Sequence, residues 1–90
     1  MALVTMYTTR WCPYCIAARD LLERLGVDYE DIDVGSDRAL RAEMEQRAGR
    51  YTVPQIWIGS RHVGGFDDMN ELHHQGLLEP LLEEMARGGD

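Results

Sequence analysis

Cys12 and Cys15 are the only two cysteines in a chain of 90 residues, and two residues separate them. A staple between them would close a very short loop and gain little stability from it. No second pair accompanies them, which excludes a disulfide-dense secreted scaffold. The pair therefore reads as redox chemistry, in which a thiolate attacks a disulfide and a neighbouring thiol releases the product. Cys12-Pro13 has the look of a helix start, because the fixed φ of proline suits the first turn and its missing N–H is not needed there. The unpaired N–H groups and the dipole at that end would support a thiolate at Cys12. Cys15, one turn further in, is expected to be more buried. Cys12 is thus the candidate attacking thiol and Cys15 the candidate resolving thiol. A zinc site would need His62 with His73 or His74, far from finger-like spacing, so no metal site is expected.

The elements that must position this pair follow from periodicity and turn residues. Leu3-Val4-Thr5-Met6-Tyr7 is short, apolar and β-leaning, which predicts a buried strand. Cys15, Ala18, Leu22 and Leu25 then recur at helical spacing, with Arg19, Glu23 and Arg24 outward and Gly26 as the stop. Val27, Tyr29, Ile32 and Val34, set among acids, predict a second strand with one wet side. Ser36 is the expected N-cap of a second helix with Leu40, Met44 and Ala48 on one face and Gly49 at its end. Glu43 and Arg47 sit four apart in the favourable order for a pair. Val53-Pro54-Gln55-Ile56-Trp57-Ile58 reads as a strand entered through a proline, and Gly59-Ser60 as a turn into a short strand at His62-Val63. Asp67 or Asp68 would cap a third helix carrying Met69 and Leu72. Leu77, Leu78, Leu81, Leu82 and Met85 form the inner face of a last one.

The resulting order, β-α-β-α-β-β-α plus a C-terminal helix, predicts an α/β domain with a four-stranded mixed sheet flanked by helices. The first βαβ unit supplies a parallel pair and the later hairpin adds antiparallel strands. Cys12 then falls at the carboxyl end of the first strand, the edge where ligand sites gather in open α/β sheets.

Composition narrows the function classes. The length fits a single domain over residues 1–90, with 88–90 as a frayed tail. Sixteen acids against nine Arg give a net charge of −7, which argues against nonspecific nucleic-acid binding. No apolar run approaches a membrane span, and the N-terminus lacks the blocks of a signal peptide, so a cytoplasmic monomer is expected. Residues 1–19 and 46–66 contain five Arg and no acid. If the fold joins these segments, a locally basic edge would favour a thiolate and draw in an anionic thiol. The acids Asp28, Glu30, Asp31 and Asp33 read as a solvated strand edge.

Three motifs in order, Cys12-Pro13-Tyr14-Cys15, Thr52-Val53-Pro54 and Gly64-Gly65-Phe66-Asp67-Asp68, closely resemble the landmarks of dithiol glutaredoxins. The resemblance spans about residues 2–85. It implies a thioredoxin-like fold, a cis Pro54 facing Cys12, and glutathione as reducing co-substrate with no tightly bound cofactor. Residue by residue, it implies that Cys12 is the nucleophile and Cys15 the resolving thiol. It implies that Val53 pairs its backbone with the glutathione cysteine, with Tyr14 and Thr52 lining the groove. The turn at Gly65, Asp67 and Asp68 resembles the clamp on the γ-glutamyl end, where helix N-terminal amides take the carboxylate and Asp68 the ammonium. The family often has a Lys three residues before the nucleophile; Thr9 stands there, and Arg10 beside it is the candidate electrostatic support.

The activity that the resemblance implies is glutathione-dependent thiol–disulfide exchange. Glutathionylated proteins would be reduced by a monothiol route through Cys12, and protein disulfides by a dithiol route through Cys12 and Cys15. Glutathione reductase would act indirectly, and family behaviour would allow ribonucleotide reductase as a client, which nothing in the sequence selects. Two alternatives stand beside it. One is a glutathione-ligated [2Fe–2S] carrier, which Pro13 disfavours in family terms. The other is an electron donor served by thioredoxin reductase, against which Asp67 and Asp68 count.

Overall fold

The structure, a computed structural model, describes residues 2–88; Gly89 and Asp90 of the expected tail lie outside the described residues. The elements are β1 (Val4–Thr8), α1 (Pro13–Arg24), β2 (Tyr29–Asp33), α2 (Arg38–Ala48), β3 (Gln55–Ile58), β4 (Arg61–Gly64), α3 (Phe66–His74) and α4 (Leu78–Ala86). The strands form one sheet in the order β2-β1-β3-β4. β1 runs parallel to β2, with Tyr7 opposite Ile32, and antiparallel to β3, with Tyr7 opposite Gln55. β4 closes the other edge as a hairpin with β3, with an irregularity between Ile56 and Trp57. This is the predicted thioredoxin-like architecture.

The central position of β1 explains its composition, since a strand covered on both faces cannot alternate with polar residues. Val4, Met6, Ile56 and Ile58 point to one side and meet Ala18, Leu21 and Leu22 of α1, Met69 of α3, and Leu78, Leu81 and Leu82 of α4. Tyr7 and Trp57 point to the other side and meet Val34, just after β2, and Met44 of α2. Truncating a fully buried member such as Leu22 to Ala would cost about 2–5 kcal/mol.

Several local expectations are corrected. The cap of α2 is Asp37, not Ser36: its carboxylate accepts the Leu40 N–H at 3.0 Å, where a charge also complements the helix dipole. Glu43 and Arg47 do not meet each other; the Tyr7 hydroxyl donates to Glu43 Oε2 (2.6 Å) and accepts from Arg47 Nη1 (2.7 Å). β2 has no single wet side. Tyr29 packs into the α1 core and Ile32 into the α2 core, because residues three apart on a strand face opposite ways. The N-cap of α3 is Gly65, not Asp67 or Asp68; Asp68 lies in the first turn and caps from there, its carboxylate accepting the Gly65 N–H. Leu77 precedes α4 and is 51% exposed, leaving Leu78, Leu81 and Leu82 as its buried face.

Candidate active site

Cys12 occupies the N-cap of α1 with an extended backbone (φ −72°, ψ 123°), and Pro13 follows as the first helical residue. No side chain caps this end, so the N–H groups of the first turn stay turned toward the region of the thiol. Cys12 is partly exposed and its thiol donates to the Val53 carbonyl at 3.8 Å. Cys15, one turn inward, is fully buried. Burial pushes its thiol up to about 11, with Cys12 adding to the rise; the Thr9 N–H and Arg19 act in the opposite direction. The two thiols are therefore unequal: one meets solvent and the other is held protonated at neutral pH.

The Val53–Pro54 bond is cis, as the resemblance implies. Val53 lies just outside the ladder, since β3 begins to pair with β1 at Gln55, so its backbone is placed for an incoming extended segment. Gln55, fully buried, holds this loop: its amide donates to the Thr52 carbonyl at 3.0 Å, and its oxygen faces His62 Nε2 at 2.8 Å.

A groove of about 310 Å³ unites the seven residues that the resemblance assigns to glutathione binding. Tyr14 comes from α1, Thr52, Val53 and Pro54 from the loop before β3, and Gly65, Asp67 and Asp68 from the start of α3. Asp68 Oδ2 accepts from the Gly65 N–H (2.8 Å) and from Arg50 Nη1 (3.1 Å). The Gly65 N–H, and then Arg50, hold its carboxyl below the usual carboxylate range. Arg50 and Phe66 complete the lining and were not among the predicted site residues. The signal for Arg50 was its place in an acid-free segment two residues before Thr52.

Arg10 lies elsewhere. It is exposed and lines a separate hollow on the other flank of Cys12, with Thr9, Trp11, Asp33, Gly35 and Ser36. Folding brings acids from other segments to two of the five Arg of the predicted basic edge. Arg19 pairs with Asp31 at 2.5 Å and Arg50 with Asp68, while Arg47 lies over the Trp57 ring at 4.4 Å. Asp31 is consequently not a purely solvated edge residue. Trp11 is 81% exposed beside Cys12, whereas Trp57 is core. Among the described residues, no cluster of three or more His, Cys, Asp or Glu could hold a metal.

A Cys-x-x-Cys pair at a helix start, facing a proline loop at the end of a mixed four-stranded sheet, defines a thiol–disulfide oxidoreductase of thioredoxin-like fold. The glutaredoxin family model matches residues 4–63, which include both cysteines and Thr52-Val53-Pro54 but stop short of the Gly64–Asp68 turn. A glutaredoxin of Pseudomonas aeruginosa is 54% identical over 82 residues, covering 91% of this chain and 98% of the relative. Glutaredoxin 3 of Escherichia coli is 46% identical over 83 residues, covering 92% and 100%. Among solved structures, a buckwheat glutaredoxin–glutathione complex superposes with a TM-score of 0.85 at 32% identity, covering 92% of this chain and 78% of that one. The chain belongs to the glutaredoxin family.

Proposed function

We propose that the chain uses glutathione as its reductant and clears both glutathionylated proteins and protein disulfides. One observation carries this reading: Tyr14, the Thr52–Pro54 loop and the Gly65–Asp68 turn form a single groove next to the Cys12 thiol. The groove offers what a γ-glutamyl-cysteinyl-glycine ligand requires. Val53 presents backbone outside the sheet ladder for the cysteine, its carbonyl facing the Cys12 thiol; the first turn of α3 presents N–H groups for the α-carboxylate, and Asp68 presents a carboxylate for the ammonium. The relative crystallised with glutathione supports the assignment by analogy.

In the monothiol route the Cys12 thiolate attacks the glutathione sulfur of a mixed disulfide. The protein thiolate leaves, and Cys12 carries the glutathionyl group in the groove. A second glutathione thiolate then attacks that glutathione sulfur, releasing glutathione disulfide and restoring Cys12. In the dithiol route Cys12 attacks a protein disulfide, and Cys15 displaces the reduced product by closing on Cys12. Two glutathiones reopen the Cys12–Cys15 disulfide.

The test is turnover of a glutathionylated peptide with glutathione, NADPH and glutathione reductase. Wild type and Cys15→Ser should both turn over, and Cys12→Ser should be inactive. Protein-disulfide reduction should be lost in Cys15→Ser. Absence of glutathione-driven turnover in wild type would remove glutathione as the donor, and turnover by Cys12→Ser would reverse the roles of the thiols.

A further inference from the structure

Behind Cys15 lies a hydrogen-bonded group that none of the chemistry above uses. Arg19 follows Cys15 by four residues on α1, so its side chain shares that face of the helix. Its guanidinium binds three partners on the sheet edge: Asp31 Oδ2 at 2.5 Å through Nε, and the Thr8 hydroxyl (2.9 Å) and Thr9 carbonyl (3.3 Å) through Nη2. Thr8 is fully buried at the end of β1 and donates its own hydroxyl to Asp31. The side chains of Arg19 and Asp31 are only 21% and 29% exposed. Thr9, held through its carbonyl, turns its N–H to the Cys15 sulfur. A cation and the peptide that it fastens therefore lie on the side of α1 that carries the buried thiol.

We propose that Arg19 is the positioning residue for the resolving thiol, fixing the Thr9 N–H on Cys15 and adding positive charge as the Cys15 thiolate forms. Asp31 and Thr8 hold the guanidinium in that place. The proposal rests on the dithiol route given above. In that route Cys15 loses its proton to solvent base, and the thiolate attacks Cys12 Sγ of the mixed disulfide. The Cys12–Cys15 bond forms, the bond from Cys12 to the substrate sulfur breaks, and the substrate leaves as a thiolate that takes up a proton from water. Negative charge thus appears on a fully buried sulfur, where an uncompensated ion is costly. In the mixed disulfide Cys12 carries no charge, so Arg19, paired with Asp31, is the charged group that bears on Cys15.

The experiment follows capture and release of a disulfide-bonded fluorescent peptide in one stopped-flow trace, over a range of pH. Capture reports Cys12 and release reports Cys15. Arg19→Gln should lower the release rate relative to capture. Each unit by which the Cys15 pKa rises removes tenfold of the thiolate and returns about threefold in nucleophilicity, so release should slow by about threefold per unit. The release profile should move to higher pH, and Arg19→Lys should recover part of the rate. Equal loss of capture and release, or a release profile that does not move, would overturn the proposal. If Arg19→Gln does not fold, Thr8→Val, which removes the hydroxyl shared by Arg19 and Asp31, is read in the same way and should shift release in the same direction. If wild type captures the peptide but never releases it, the dithiol route itself is wrong, an outcome distinct from an unchanged Arg19 variant.

Discussion

Arg50 Nη1 lies 3.1 Å from Asp68 Oδ2, an ion pair between the segment before the proline loop and the first turn of α3. The pair sits inside the groove, so an incoming ammonium must share Asp68 with a guanidinium already in place. Both side chains are close to half exposed, so the pair itself adds little stability, under about 1 kcal/mol. Its consequence is for binding. Asp68→Ala is expected to raise the apparent KM for a glutathionylated peptide by roughly tenfold, the worth of one charge-assisted hydrogen bond in a wet site, with a smaller change in kcat. Steady-state kinetics check this, and an unchanged KM would take Asp68 out of the groove's binding set.

The inequality of the two thiols predicts selective labelling. At about neutral pH, iodoacetamide should modify Cys12 in the native reduced protein and leave Cys15 untouched, because Cys15 is fully buried and its thiol is pushed up to about 11. In denaturant both should react. Mass mapping of the labelled peptides decides the matter, and comparable native labelling of Cys15 would contradict its burial.

Acid should reveal the Asp68 carboxylate as a source of stability. The Gly65 N–H and Arg50 hold its folded pKa below the ordinary 3.8, so in falling pH the unfolded chain takes up this proton first. The contribution is complete above the unfolded value and is lost as pH falls through the lower folded value. Urea midpoints of wild type and Asp68→Asn should therefore differ most above about pH 5 and converge as pH falls through the lowered folded value. A gap that stays constant across that range would mean the carboxylate is not the stabilising form.

The architecture was legible because its signals are local and mutually consistent. Cys12-Pro13 starts α1, Gly49 in a left-handed conformation ends α2, and the apolar run at Val4–Tyr7 marks the central strand. The seven groove residues were legible only through the resemblance, since no spacing rule brings Tyr14, Thr52 and Gly65 together. What the sequence did not disclose are pairings across long separations. Arg47 and Glu43 look like a helix-surface pair until Tyr7, 36 and 40 residues earlier, places its hydroxyl between them. Asp31 looks like one acid among several on an edge until the fold brings its carboxylate to the Thr8 hydroxyl and the Arg19 guanidinium. Periodicity assigns a residue to a face but does not say which partner waits there.

Gly64 ends β4 at φ 116°, a conformation that side-chain-bearing residues rarely adopt, and a Cβ there would strike the Asp68 carboxylate. Gly64→Ala therefore acts twice. The backbone strain should lower stability by about 1–3 kcal/mol, read as a reduced urea midpoint with an unchanged m-value. The displaced carboxylate can no longer accept from both Gly65 and Arg50, so the KM for a glutathionylated peptide should rise toward the value for Asp68→Ala. The double variant should then add little to the KM of either single one, because both remove the same contact. Fully additive effects on KM would show that Gly64 shapes the groove by some means other than holding Asp68.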